Sequence, residues 1–426
     1  MHINTVYAYV KSFGSETPVK IVIAGGGIGG LAAALFLQAE GVEVDVYESV
    51  AEMQELGVGI NMQPHAVREL ELLGLRAELE AAGNSCDEWA MFNCLGQEIW
   101  REPRGRAAGH AWPQISIHRG RLQGILLAAV RQRLGPDRTH TDHHLSAFDQ
   151  SDERVTATFA TGRRTGPTVR VEADALIGAD GIHSTVRKSL YPTEGDPVFA
   201  GMLLWRGMTR TKPLFGGHTM VFAGFREQKF IGYPIRPPDP DGLQMLNWIA
   251  EIHADKMLRR EDWNREGKLD EFLPAYADWR FSWADVPQII RDADRVYEYP
   301  MIDRDPLPRW SFGRVTLLGD GAHPMYPIGA NGASQAIRDG RALAQAFAAG
   351  GTAAECLARY EQDRREPTNQ IVLTNRQLGP EQVMQMAHER APNGFERIED
   401  VISREELTAI AQRYRAVTWV TPAAGV

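Results

Sequence analysis

The chain has 426 residues, 43% of them hydrophobic and 24% charged, with a formal net charge of −9. That length exceeds one ordinary core, so a soluble globular protein of two domains, tandem or interleaved, is expected. The acidic balance argues against nucleic acid or an anionic membrane as partner, since both need a basic face, but one or two local arginines still suffice for an anionic small molecule.

The three cysteines, Cys86, Cys94 and Cys356, form no metal-binding pattern and cannot all pair, which fits a reduced, cytoplasmic compartment. Residues 1–17 read as an irregular extension ahead of Pro18. Lys20 to Ala24 then reads as a short buried strand. It delivers Gly25, Gly27 and Gly30 in the spacing G-x-G-x-x-G, within GGGIGG. A helix pattern runs from Leu31 to about Ala39, Gly41 ends it, and Val42 to Tyr47 alternates as a second strand closing on Glu48. This is the βαβ dinucleotide fingerprint in its structural context. The first glycine makes the tight turn, the second lets backbone approach a pyrophosphate, and the third lets helix and sheet pack closely. The helix N-terminus offers unpaired N–H groups to the diphosphate, and Glu48 stands where an acid accepts from ribose hydroxyls. The uncharged run Ile21–Leu37 is short for a membrane span and carries five glycines.

Further along, GVGIN (57–61) is either a plain turn or a glycine-rich segment lying close to a flat ligand. His65–Leu73 has helical spacing. Trp89, Phe92, Trp100 and Trp112 mark a change of texture over 85–114, read as a visit to a β-rich second domain. Arg119–Leu134 is an amphipathic helix with Leu122, Ile125, Leu126 and Val130 inward. Arg119 at its first turn opposes the helix dipole, so it is either a solvated arginine or one with a phosphate partner. Residues 136–173 read as short strands and turns, with His140, His143 and His144 in a solvated turn rather than a metal site. Ala175–Ile177 forms a buried strand running into Gly178, Asp180 and Gly181, with a helix starting near Ser184.

Residues 196–300 hold Trp205, Trp248, Trp263, Trp279 and Trp283. Met220–Tyr233 and Leu243–Ile252 alternate like antiparallel strands, predicting a sheet with one face buried and one lining a pocket for a flat apolar ligand. Arg206 and Tyr233 are placed at its mouth, the alternative being a core tyrosine and a surface ion-pair arginine. Val315–Leu318 is a third buried strand, ended by Gly319 and Asp320. A loop shaped by Pro324, Pro327, Gly329 and Gly332 precedes a helix from about Ala333. The small residues at that helix start leave open N–H groups for an anion or enolate. Residues 351–426 read as helical, with Leu357, Tyr360, Ile371 and Leu373 packing. Three such turns after parallel-type strands imply one large extended cofactor.

The set GGGIGG (25–30), GADGIHSTVR (178–187) and LLGDGAHPMYPIGANGASQA (317–336) resembles the single-component FAD-dependent aromatic hydroxylases, the class containing p-hydroxybenzoate and salicylate hydroxylases. GVGINMQPHAV, SIHRGRLQGILLAAVRQRLG, DWNREGKLDEFLPAYADW and YPMIDRDPLPRW are most like phenazine-modifying members of it. The resemblance covers about residues 18–375. It implies an α/β fold: a Rossmann-like FAD-binding domain of the glutathione-reductase type, an interleaved β-sheet substrate domain and C-terminal helices. The implied divisions are 18–84, 115–195 and 301–375 for FAD, 85–114 and 196–300 for substrate, and 376–426 as a helical cap.

By the same resemblance, Gly25, Gly27, Ile28, Gly29 and Gly30 hold the FAD diphosphate, and Glu48 with Ser49 the adenosine ribose. Gly59 lies against the cofactor. Arg119 reaches the diphosphate and ribityl chain, Asp180 serves FAD and NAD(P)H together, and Asp320 binds ribityl hydroxyls. Asn331 and Gly332 place N–H groups near flavin N1 and the C2 carbonyl. Gly321 stands where the family usually has alanine. The implied reaction is NADH- or NADPH-driven hydroxylation of an aromatic small molecule by O2 through a flavin C4a-hydroperoxide. Tyr233, Arg206 and Pro327 are the candidates on the substrate side, and His118 and His323 further candidates for a base. A non-hydroxylating flavoprotein, halogenase or reductase, and a non-catalytic dinucleotide-binding protein are the alternatives. The halogenase W-x-W-x-I-P signature is absent.

Overall fold

The computed structural model describes residues 19–55, 57–256 and 265–418. Trp263 and the N-terminal extension lie outside them.

Strand β1 (Lys20–Ala24) leads into helix α1 (Ile28–Ala39), which returns to strand β2 (Glu43–Tyr47). The helix begins three residues before the sequence reading, because Gly27 O accepts from Leu31 N at 3.0 Å and the glycine turn becomes its first turn. Having no charged side chain, α1 is buried along most of its length. Helix α2 (Arg119–Leu134) matches its expected span, and β3 (Ala175–Gly178) feeds the short helix α3 (Thr185–Leu190). The chain then forms β4 (Val198–Thr211), β5 (Thr219–Phe225), β6 (Gln228–Pro234), β7 (Gln244–His253) and β8 (Val296–Asp303). The run Met220–Tyr233 is thus a hairpin of two strands turning at Arg226 and Glu227. Strand β9 (Val315–Leu317) precedes α4 (Gly332–Ala348), α5 (Ala353–Arg376), the helix Gln382–Arg390 and α6 (Arg404–Thr418).

One sheet of six strands has the order Ser311–Phe312, β9, β3, β1, β2, Thr139–His140, parallel except at the Ser311–Phe312 edge. The βα turns therefore gather at the C-terminal ends of β1, β3 and β9, where ligands of open parallel sheets bind. A second sheet of seven strands runs β8, β4, β7, β6, β5, Glu88–Phe92, Glu98–Pro103. Its one face packs on Phe272, Tyr276, Trp279 and Ile290, and the other carries Leu204, Phe222, Ile231 and Ile249 toward the first domain and the C-terminal helices. Helices α1 and α4 touch at backbone distance: a Cβ on Gly340 would lie 2.8 Å from Ala33 N.

Two expectations are corrected. Leu373 is 41% exposed rather than packed, because it falls on the outer face of α5. The histidines do not form a solvated turn. His140 stacks on Tyr47 at 4.3 Å and its Nε2 lies 3.0 Å from Asp45 Oδ1, while the His143 ring meets Tyr47 edge-on at 5.6 Å. Burial works to raise the Asp45 carboxyl, but the His140 bond and the Arg138 charge outweigh it and hold it low. Among the described residues no cluster of His, Cys, Asp or Glu is arranged to hold a metal.

Candidate active site

A cavity of about 580 Å³ lies between the two sheets. Gly27, Ile28 and Gly29 from the first turn line it. Gly25 and Gly30 stand behind the lining and set its shape. With φ at +114°, a Cβ on Gly25 would sit 2.2 Å from Ala179 O, and one on Gly30 would sit 2.0 Å from Gly25 O. The first turn is therefore pressed against the turn after β3. Glu48 and Ser49 also lie outside the cavity lining. Glu48 Oε2 accepts from Gly26 N at 2.8 Å, and its Oε1 accepts from Val50 N and Ser49 Oγ, each at 2.9 Å.

Asp180 lines the cavity from the second turn. Its Oδ2 accepts from Thr185 N at 2.7 Å and Val186 N at 3.3 Å, while its buried Oδ1 has no partner. Burial pushes this carboxyl up. Gly321 explains itself here: a Cβ would lie 2.7 Å from Gly178 O, so the third turn approaches the second too closely for the usual alanine in this backbone. Asp320 is exposed, but into the cavity, where enclosing protein pushes its carboxyl up against the pull of His323 and Arg119. Arg119, the first residue of α2, faces the same space, with no carboxylate paired to it among the described residues.

At the start of α4, Asn331 Nδ2 donates to Gly329 O at 3.1 Å and Tyr414 OH at 2.9 Å, leaving its buried Oδ1 without a partner. A Cβ on Gly332 would meet nothing within 4 Å, so space lies directly over the helix N-terminus. Pro327 contributes to the wall. Beneath this turn sits a network that sequence reading missed. Asp339 accepts from Gly319 N at 3.1 Å and Arg364 Nε at 2.9 Å, and His323 Nε2 lies 2.5 Å from it. Burial alone would raise the Asp339 carboxyl, but the His323 and Arg364 charges bring it to about 2. His323 is thus fixed under the turn and does not line the cavity. His118 does not line it either, its Nε2 lying 3.1 Å from Gly57 O. Neither histidine is among the residues that line the cavity.

The opposite wall is the seven-stranded sheet, presenting Met220, Phe222, Ile231, Ile249 and the rings of Trp89 and Tyr299. Tyr233 is not at a mouth; it is 2% exposed and deep in this wall. Its OH donates to Gly59 O at 2.9 Å, and Arg206 Nη2 donates to the same oxygen at 2.9 Å. Burial pushes the phenol up, moderated by Arg206. Gly59 N in turn donates to Asn247 Oδ1 at 2.6 Å. The loop backbone is thereby clasped at both its N–H and its C=O. A Cβ on Gly59 would lie 2.7 Å from Asn247 Cβ. Asn247 was not singled out from sequence; its only signal was a polar residue on the pocket face of an alternating strand.

Residues 16–375 match the family model described as FAD binding domain. Over 367 residues the chain is 44% identical to the phenazine 1,6-dicarboxylic acid hydroxylase PhzS of Lysobacter antibioticus, covering 85% of this chain and 90% of that protein. The chain belongs to the FAD-dependent aromatic hydroxylases. The hydroxylase is also 30% identical over 373 residues to the aurachin C monooxygenase/isomerase of Stigmatella aurantiaca, covering 85% of this chain and 90% of that one. In fold it resembles HpxO of Klebsiella pneumoniae complexed with FAD and uric acid, with a TM-score of 0.73 at 22% identity over 94% of this chain and 96% of that one. Like its family, the hydroxylase is a flavoprotein monooxygenase using FAD, NAD(P)H and O2.

Proposed function

We propose that the hydroxylase inserts one oxygen into a flat aromatic substrate, a phenazine or an aromatic carboxylate, in the cytoplasm. The observation carrying this reading is the two-sided cavity: three glycine-and-acid turns on one side, a broad apolar aromatic wall on the other. Bound FAD supplies electron transfer from NADH or NADPH and activation of O2.

The chain's own residues do the rest. Gly27, Ile28, Gly29 and the α1 N-terminus hold the diphosphate, with Gly25 and Gly30 enforcing the approach. Glu48, its oxygens oriented by Gly26 and Ser49, accepts from the adenosine ribose. Arg119 answers the diphosphate charge, and Asp320 accepts from the ribityl chain. The unpartnered Asp180 Oδ1 and Asn331 Oδ1 support this fit, since a buried acceptor without a donor is costly unless a ligand brings one. Backbone N–H groups at Asn331 and Gly332, reinforced by the α4 dipole, favour negative charge on the flavin ring. Tyr233 and Arg206 position the Gly59 loop between cofactor and substrate, while Pro327 and the sheet wall exclude water. No helix among the described residues is long and apolar enough to cross a membrane, as a substrate taken from bulk water would suit.

The test is a screen of phenazines and aromatic acids for ligand-stimulated NADH or NADPH consumption by the FAD-loaded protein, with product mass read. One added oxygen is expected. Stimulated consumption that yields only hydrogen peroxide for every ligand would defeat the proposal.

A further inference from the structure

Along the pocket face of β7, Asn247, Ile249 and Glu251 follow one another at alternate positions. Asn247 holds the Gly59 loop. Glu251 lies four residues further on, about 13 Å away at the usual rise of a strand. It lines the same cavity, yet is 1% exposed. Lys229 Nζ, on the neighbouring strand β6, lies 2.9 Å from Glu251 Oε2 and also contacts Glu381 Oε2. Lys229 and Glu381 are buried as well, at 2% and 3%. Tyr276 OH fixes the pair from behind, 2.8 Å from Lys229 O and 2.9 Å from Glu251 O. No hydroxyl or amide among the described residues donates to Glu251 Oε2.

Two carboxylates thus share one ammonium in an apolar setting. The ammonium balances one; the other is surplus and needs a proton or a donor. Burial, opposed by Lys229 but aided by the Glu251 charge, pushes the Glu381 carboxyl up. Of the two carboxylates, Glu251 lines the cavity and Glu381 does not. On the pocket face of the sheet Ile249 precedes Glu251 by two residues, Ile231 stands across from Ile249, and Leu204 stands across from Glu251 itself. A purely hydrocarbon edge placed there would leave Glu251 only its share of the Lys229 ammonium, which Glu381 also contacts. A ring bearing O–H or N–H would satisfy it.

We propose that Glu251 is a specificity-determining residue, whose carboxylate accepts a hydrogen bond from an O–H or N–H donor on the substrate edge turned away from Gly59. This deepens the aromatic-hydroxylase reading and rests on it for the identity of the occupant. Lys229 and Glu381 are positioning residues.

The test is direct binding to FAD-loaded protein, read by perturbation of the flavin spectrum, with 2-hydroxyphenazine and 2-methoxyphenazine as the pair of probes. The native enzyme is expected to bind the hydroxyl compound about tenfold or more tightly. Glu251→Leu leaves Lys229 matched by Glu381 alone, so folding and FAD content should survive, and the preference should fall to about one. Where that variant takes up no FAD, Glu251→Gln is read instead, with the preference cut several-fold by loss of the charge. Glu381→Gln should keep the preference, since Lys229 still pairs with Glu251. The inference is overturned by a native enzyme that does not discriminate, by an unchanged ratio in the FAD-loaded Glu251 variant, or by equal losses in the Glu251 and Glu381 variants. Product mass is read separately: absence of an oxygenated product with a Glu251-dependent ratio defeats the hydroxylase reading alone.

Discussion

The two walls of the cavity are built by opposite means. The turn wall, after β1, β3 and β9, is made of backbone, and its requirement is chiefly that no Cβ intrude. The sheet wall is made of side chains, each held by a partner far away in the chain: Gly59 and Asn247 are 188 positions apart, and Tyr233 reaches Gly59 across 174. A backbone wall announces itself in a few consecutive residues. A side-chain wall does not, because the pairing that gives a residue its job is written nowhere near it.

The sharpest challenge to this contrast is Asp339, a side chain that props the turn wall from below. Asp339→Asn leaves the buried Arg364 guanidinium without its counter-charge and should cost about 3–5 kcal/mol, read by urea unfolding of the FAD-loaded protein. The pH dependence has a definite sign. The folded carboxyl, held at about 2 against an ordinary 3.8, contributes stability above pH 4. About 2 kcal/mol should be lost as pH falls from 4 toward 2. In the variant that segment of the stability curve should be flat. Next in size is Gly30→Ala, whose methyl would press on Gly25 O. A loss of about 3 kcal/mol and a colourless purified protein are expected; a yellow, stable variant would break the claim that the turn wall has no room for a Cβ at Gly30. On the opposite wall Tyr233→Phe removes one of two donors to Gly59 O. With Arg206 still in place the cost should be about 1 kcal/mol, accompanied by a fall in kcat with KM little changed if the tyrosine serves the loop. A large KM effect would mean that it touches substrate instead. Smallest of all is Leu373→Gln on the exposed face of α5, expected within about 0.5 kcal/mol of the native protein in thermal unfolding.

What the sequence made legible follows the same division. The first βα turn, α2 and the strand before Asp180 could be read residue by residue, since glycine spacing and apolar periodicity are local. The start of α1 was misjudged by three residues because its glycine turn is already helical. Arg206 and Tyr233 were found by residue type but put at a mouth, since nothing in the local pattern shows that both side chains converge on one carbonyl. His323 could be named beside Tyr233 and His118 as a group able to assist proton loss, without a pattern to support it; its partner Asp339, sixteen positions on, fixes it under the turn. Asn247, Asp339 and the Lys229–Glu251–Glu381 trio were missed for one reason. A polar residue on an apolar face signals only that something must satisfy it, not what.

Tyr414, near the end of the described chain, reaches into the floor of the third turn, where its OH meets Asn331 Nδ2 at 2.9 Å and a Cβ on Gly329 would lie 1.6 Å from that oxygen. The first turn is closed by contacts among residues near it in sequence, whereas the third is completed by a side chain 83 positions beyond Asn331. Without α6 the nucleotide fingerprint would stand unchanged, while Asn331 at the third turn would lose the tyrosine hydroxyl that its side chain meets.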